Sequence, residues 1–149
     1  MTSRFRHAAL IGKYQAQGMR PLLEEIAHLL TRRGLEVSIE ADTALNTGLT
    51  GYPMLTPDEL GQHCDLAIVV GGDGTMLGIA RTLARYGVPM VGINQGRLGF
   101  ITDIPVARVT QALRAMLAGD YEEEHRAMLD GRVVRGAAEI YTAVAMNDV

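Results

Sequence analysis

The stretch DLAIVVGGDGT, residues 65–75, decides the fold. After Asp65 it contains only apolar residues up to Val70, which is typical of a strand buried on both faces. Three glycines follow within four positions, and from Thr75 to Tyr86 apolar residues recur at helical spacing. A buried strand that leads through glycines into a helix presents backbone N–H groups to phosphate. We therefore predict a phosphate-binding turn at residues 71–75.

The residue types in this turn favour a functional site over a plain turn. Glycines lack the Cβ atom that would hold a phosphate away, and they permit positive φ. Asp73 is the one side chain in the turn that can accept a proton or ligate a metal. A tight turn with a helix cap explains the glycines but not this acid. A carboxylate beside phosphate is unfavourable unless Mg²⁺ or a proton acceptor is needed there.

Strands and helices alternate in the first 119 residues. We predict strands at residues 7–11, 35–40, 65–70 and 88–93, and helices at residues 19–33, 75–86 and 106–117. Strict alternation in the second strand predicts one exposed face. The β-α-β opening and the continuously apolar later strands predict an α/β fold, with a Rossmann-like parallel sheet and flanking helices.

Two linking segments have different patterns. Residues 41–56 show no clean period and include two glycines and a proline, so we predict a mobile loop. Thr56 and Pro57 are typical of an N-cap and a first helical position, which predicts a short helix before Cys64.

The pattern changes near Gly119. Residues 122–129 and 132–134 read as two strands around a hairpin turn at Asp130-Gly131, and residues 139–149 read as a further strand. A change from alternating α/β to consecutive β often marks a domain boundary. We predict an α/β nucleotide-binding domain at residues 1–119 and the start of a β-rich domain at 120–149. The last strand stops in mid-pattern, so we expect the second domain to be truncated.

Composition excludes several classes of partner. The chain has 149 residues, a formal net charge of −3 and a pI near 5.8, which give no bulk attraction to nucleic acid or an anionic membrane. No apolar run approaches the ~18 residues of a membrane helix, and no signal peptide is visible. The single cysteine, Cys64, excludes an intrachain disulfide and fits a reducing compartment. We expect a cytoplasmic protein without nucleic-acid or membrane partners.

The sequence lacks both a Rossmann dinucleotide fingerprint and a Walker A loop. Instead, Gly-Gly-Asp-Gly-Thr at residues 71–75, with Met76-Leu77 and Ala80-Arg81 after it, resembles a signature of the NAD kinases. Residues 94–100 are similar to that family's Asn-x-Gly-x-Leu-Gly-Phe signature, and Asn147-Asp148 to its short Asn-Glu/Asp signature. The first motif also occurs in lipid kinases and resembles a phosphofructokinase turn, whereas three motifs in this order are more specific.

The resemblance implies phosphoryl transfer from ATP, with Mg²⁺ or another divalent cation, to the 2′-hydroxyl of the adenosine ribose of NAD. The product is NADP. It implies that Asp73 is catalytic, as the proton acceptor or as a group that orders the metal-bound phosphates. It further implies a homo-oligomer and no dedicated protein metal site. The implied phosphate-binding residues are Gly71, Gly72 and Thr75, and the implied NAD-binding residues are Asp73, Gly74, Phe100, Asn147 and Asp148.

From the residues alone, several alternatives stay open. Phe100 either stacks on adenine or fills the core, and Asn147-Asp148 either bind the dinucleotide or form a β-turn. The glycine turn also suits a kinase with a lipid or sugar acceptor. A chain that lacks the rest of the β-rich domain can also fold as a non-catalytic nucleotide-binding or assembly module, inactive on its own.

Overall fold

The computed structural model describes residues 5–12, 18–94, 104–119, 128–135 and 138–146, the last two ranges as backbone strands. Six strands form one sheet: β1 His7–Gly12, β2 Glu36–Glu40, β3 Met54–Leu55, β4 Leu66–Gly71, β5 Met90–Asn94 and β6 Ile104–Pro105. Their order across the sheet is β3-β2-β1-β4-β5-β6, and every pairing is parallel. The predicted Rossmann-like parallel sheet is therefore confirmed.

Among the described residues five helices accompany the sheet: α1 Met19–Arg32, α2 Ala41–Thr47, α3 Pro57–His63, α4 Asp73–Leu83 and α5 Val109–Leu117. Short 3₁₀ turns, Ala84–Tyr86 and Val106–Arg108, follow α4 and precede α5. The apolar stripes of α1 and α5 pack on one face of the sheet, and those of α3 and α4 pack on the other. Central strand β4 is buried along its whole length, because helices cover it on both sides. No helix in the described ranges is long and apolar enough to cross a bilayer.

Local sequence signals correctly predicted where α1 ends and where α3 begins. Gly34, at φ 88°, follows α1 in the left-handed region, where a glycine is favoured. Thr56 caps α3: its Oγ1 accepts the Glu59 N–H at 3.3 Å, and Glu59 Oε1 accepts the Thr56 N–H at 2.9 Å. These two bonds form a capping box, which satisfies two N–H groups that the helix leaves without partners.

Two predictions in the β2 region need correction. The exposed face predicted for β2 is only partly right: Glu36 is exposed and Glu40 partly exposed, whereas Ser38 between them is buried with its Oγ 2.7 Å from His7 Nε2. Residues 41–56 are not a loop, because they contain α2 and the edge strand β3. Helix α2 is held by the buried side chain of Thr43, whose bonding partner Gly12 lies 31 residues away. The local sequence of residues 41–56 cannot predict a contact with a residue so distant in the chain.

Beyond α5 the structure has a two-stranded antiparallel sheet, formed by β7 Met128–Arg135 and β8 Ala138–Met146. The predicted hairpin turn at Asp130-Gly131 is wrong: both residues lie inside β7, where Asp130 pairs with Val144 and Gly131 with Ala143. The further strand predicted at residues 139–149 is confirmed as far as Met146. The division into two domains at Gly119 stays a prediction.

Candidate functional site

The sheet has its topological switch point between β1 and β4. Strand β1 leads through α1 to β2 on one side, and β4 leads through α4 to β5 on the other. In open α/β sheets, ligands bind in the crevice at the carboxyl ends of the two strands where the order reverses. Here those ends are Gly12 of β1, which pairs with Val70, and Gly71 of β4. The glycine turn of residues 71–75 thus lies where this fold binds ligands.

The turn is formed by the end of β4 and the start of α4. Gly71 is the last strand residue, Gly72 is the N-cap of α4, and Asp73 is its first residue. The helix thus begins two residues earlier than the spacing predicted. Gly72 is extended, with φ −115° and ψ −173°, and Gly74 is helical, so neither residue uses the positive φ that glycine permits.

Open space explains these two glycines better than backbone strain does. A Cβ built on Gly72 or Gly74 would have no heavy atom of the described ranges within 4 Å. Nothing in that part of the fold requires glycine at either position: an N-cap such as Gly72 accepts several small residues, and glycine within the helix, as at Gly74, lowers helix propensity. A ligand that must approach the backbone closely gives a reason for both.

The start of α4 also offers N–H donors. The first turn of any helix has N–H groups without intrahelical partners, and the helix dipole adds partial positive charge there. The N-cap residue, Gly72, has no side chain that could cap α4. Helix α4 spans 11 residues, and Thr75 lies in its first turn, partly exposed. The arrangement suits an anion such as a phosphate group.

Asp73 adds a carboxylate to this anion-binding end. The residue is partly exposed. The helix dipole is favourable for a negatively charged side chain in the first turn of a helix. Backbone N–H donors and a carboxylate that could accept a proton therefore lie within one turn of helix, which is a suitable arrangement for phosphoryl transfer.

Asn94 is a further residue at this edge, and the predicted site omitted it. It is the last residue of β5, pairs with Gly71 of β4, and is only 3% exposed. It is also the first residue of the Asn94–Phe100 motif. Strand order would have indicated its position, because the carboxyl ends of neighbouring parallel strands share one edge of the sheet.

Three predicted site residues, Phe100, Asn147 and Asp148, lie outside the described residues, and their roles stay predictions. The strand before Asn147 is β8, which passes within 8 Å of α4, measured between Cα atoms. Within the described ranges no group of three His, Cys, Asp or Glu side chains is arranged to hold a metal ion.

Known proteins match this fold and this turn together. The family model described as the ATP-NAD kinase N-terminal domain matches residues 9–121, which include both the switch point and the glycine turn. The chain belongs to the NAD kinase family. The NAD kinase of Methylibium petroleiphilum is 60% identical over 153 residues, which cover 100% of this chain and 51% of that protein. The NAD kinase of Polaromonas naphthalenivorans is also 60% identical, over 149 residues and 51% of its length. The chain thus spans about half the length of these relatives.

Two solved NAD kinase family structures share the fold. Yeast NADH kinase complexed with NADH aligns with a TM-score of 0.77 at 17% identity, over 95% of this chain and 46% of that one. An NAD kinase from Archaeoglobus fulgidus in complex with ATP aligns with a TM-score of 0.55 at 23% identity, over 85% and 40%. At such identities the likeness supports the α/β architecture.

Proposed function

We propose that the protein is an ATP-dependent NAD kinase, which phosphorylates the 2′-hydroxyl of the adenosine ribose of NAD to give NADP. The observation that carries the proposal is the turn at the switch point, where open glycines, the start of α4 and Asp73 meet. Family membership supports the choice of NAD as acceptor over a lipid or a sugar.

Each part of the turn has a role in this reaction. Backbone N–H groups of Gly71, Gly72 and Thr75 hold phosphate oxygens, and Gly74 leaves room for the nucleotide to approach. Asp73 accepts the proton of the 2′-hydroxyl as its oxygen attacks the γ-phosphorus of ATP, or orders the metal-bound phosphates. The bond from that phosphorus to the β-phosphate oxygen breaks, and ADP leaves. A well-placed general base contributes roughly 10²–10⁴-fold.

A divalent cation such as Mg²⁺ enters this scheme together with ATP. Mg²⁺ prefers oxygen ligands and is commonly held by one or two carboxylates plus substrate phosphates. Asp73 supplies one carboxylate at the turn, and no ligand cluster occurs in the described ranges. The residues therefore fit a cation held mainly by the nucleotide, which neutralises phosphate charge during the transfer.

The rest of the proposal concerns the protein around this turn. Residues 1–119 form the α/β nucleotide-binding domain, and residues 120–149 belong to a second, β-rich domain that binds NAD. Phe100, Asn147 and Asp148 contact the dinucleotide. The protein acts in the cytoplasm as a homo-oligomer, without nucleic-acid or membrane partners; its net charge of −3 supports the last point.

An acceptor panel tests the proposal. The protein, expressed from its complete native reading frame, is incubated with labelled ATP, Mg²⁺ and NAD, a sugar or a lipid in turn. We expect label in NADP alone, with one ADP formed per NADP. Selective labelling of the lipid or sugar would overturn the proposal, and so would a nucleotide-induced thermal shift without turnover, which indicates a binding module.

A further inference from the structure

The carboxyl end of β1 is held by an unusual side-chain contact. On one side Gly12 pairs with Val70 of β4, directly before the glycine turn. On the other side the backbone pairing with β2 ends at Leu10 and Ile39, because the chain turns away into α2 after Glu40. The backbone groups of successive β1 residues alternate between the two neighbouring strands: the Arg6 carbonyl oxygen accepts from Glu36 at the start of β2, and the His7 carbonyl oxygen accepts from Asp65 beside β4. The N–H and C=O of Gly12 therefore face β2 where β2 no longer pairs.

Thr43 of α2 occupies this position with its hydroxyl group. It is fully buried, and its Oγ1 accepts the Gly12 N–H at 3.1 Å. The same Oγ1 lies 2.7 Å from Glu40 Oε1 and 3.3 Å from the Gly12 carbonyl oxygen. A hydroxyl has one proton to donate, and the shorter distance assigns it to the Glu40 carboxylate. The Thr43 side chain thus replaces the missing strand partner of Gly12.

Glu40 orients that hydroxyl, because its Oε1 is the nearest acceptor. Burial raises the pKa of its carboxyl group, with Asp42 nearby adding to the effect, while the bond from Thr43 opposes it. A partly buried carboxylate is unfavourable unless it is hydrogen-bonded, and Thr43 supplies such a bond. By accepting the Thr43 proton, Glu40 leaves the Thr43 lone pairs directed at the Gly12 N–H.

The face of the sheet at Gly12 is packed against side chains of α1. A Cβ at Gly12 would lie 2.8 Å from Met19 Sδ and 3.0 Å from Leu23 Cδ1, so only glycine fits without movement. The strand end is therefore held between α1 and Thr43. Because Gly12 pairs with Val70, any shift of this strand end moves one wall of the crevice beside Gly71 and Gly72.

We propose that Thr43, oriented by Glu40, is a positioning residue of the nucleotide site, which fixes the end of β1 and thereby the width of the crevice beside the glycine turn. The inference rests on the proposed NAD kinase function. Thr43 itself touches no substrate and acts through the Gly12 backbone.

Substitutions in α2 separate this role from a general structural one. Thr43→Val keeps the shape of the side chain and removes the hydroxyl, whereas Thr43→Ser keeps the hydroxyl. Thr47→Val is the matched control, because the bonds of the Thr47 hydroxyl among the described residues are local, to the Thr43 carbonyl oxygen at 2.6 Å and to the Leu49 N–H at 3.3 Å. Both valine variants remove a hydroxyl from α2, but only Thr43→Val releases β1.

The measurement is the KM for ATP and for NAD, in protein from the complete native reading frame, well below the unfolding temperature. Loss of folded protein lowers the apparent kcat and leaves KM unchanged, so KM reports the geometry of the site. We expect Thr43→Val to raise at least one KM tenfold or more, with Thr43→Ser within about threefold and Thr47→Val within about twofold of wild type. Equal KM values for the two valine variants would overturn the inference.

A calorimetric titration with ATP distinguishes failure of this inference from failure of the proposed function. If the wild-type protein binds ATP but forms no NADP, the proposed function fails; at least tenfold weaker ATP binding by Thr43→Val than by Thr47→Val then still supports the positioning role. Equal ATP affinities in that case would overturn it. A wild-type protein that neither binds nor turns over nucleotide would overturn both.

Discussion

Replacing Gly74 by alanine tests whether a ligand, rather than the fold, requires glycine in the turn. Gly74 is exposed, and a Cβ there meets no heavy atom of the described ranges within 4 Å. Gly74 is the second residue of α4, where alanine is the better helix former. The substitution therefore stabilises the protein, by about 0.5–1 kcal/mol in the free energy of unfolding.

The same methyl group occupies space that the nucleotide needs in the proposed site. Non-bonded heavy atoms pack at about 3.5–4.0 Å, so a Cβ on residue 74 pushes back a phosphate that rests against the Gly74 backbone. Displacement of the reacting phosphate by about 1 Å costs on the order of 10²-fold in rate. We expect Gly74→Ala to be more stable than wild type and about a hundredfold slower.

Gly78→Ala is the matched control for this experiment. Gly78 lies one turn further along α4, is equally exposed, and also has open space around its Cβ position in the described part of the chain. Alanine is the better helix former at this position too, and Gly78 is outside the turn. Urea unfolding and NADP formation are measured for both variants. A destabilised Gly74→Ala, a fully active one, or an equal loss of activity in Gly78→Ala would refute the reasoning.

Three further predictions concern the rest of the fold. A Cβ at Gly61 would overlap the Tyr86 ring, whose hydroxyl donates to Asp58 Oδ1 at 3.0 Å. Gly61→Ala should therefore lower the free energy of unfolding by about 1 kcal/mol in the wild type but raise it by about 0.5–1 kcal/mol in a Tyr86→Ala background. Effects of equal sign in the two backgrounds would contradict this. Burial raises the pKa of Cys64 from 9.0 to about 12. Because the thiolate is the reactive form, alkylation of Cys64 at pH 8 should be about a thousandfold slower in folded than in urea-unfolded protein. Fast labelling of the folded protein would contradict this, since it would show the thiol to be accessible and ionised. The pKa of Glu40 is raised in the folded state, so its ionisation lowers stability as pH rises from about 4.5 through the folded-state pKa. The melting temperature of Glu40→Gln relative to wild type should therefore increase between pH 4 and pH 7. A difference in melting temperature that does not change with pH would contradict this.

Much of the fold follows from local pattern, because the elements that form it are locally consistent. Strand β4 has five successive apolar residues before its last glycine, and α1 has both an apolar stripe and a glycine stop. Helix α2 is different, because the hydroxyl of Thr43 anchors it to Gly12. A contact between residues 31 positions apart produces no periodic pattern of apolar residues in the sequence. Asp130-Gly131 carries a strong local turn signal, which the pairing of β7 with β8 overrides.

The candidate site also contains both residues that the local sequence pattern predicts and residues that it does not. The glycine turn and Asp73 were predictable, since strand, turn and helix are contiguous in the chain. The pairing of Asn94 with Gly71 depends on strand order, which local pattern does not provide. The expected positive φ is not found at Gly72 or Gly74: both positions have open space in front of the backbone, and their place at the switch point depends on the strand order.

The most direct test of the central claim is the turnover of Asp73→Asn with ATP, Mg²⁺ and NAD, measured alongside its affinity for ATP. Asparagine has nearly the same shape as aspartate but neither accepts the 2′-hydroxyl proton nor carries the charge that orders the metal-bound phosphates. We predict that kcat for NADP formation falls by about 10²–10⁴-fold, while the variant folds and still binds ATP. An Asp73→Asn protein that forms NADP as fast as wild type would contradict the account.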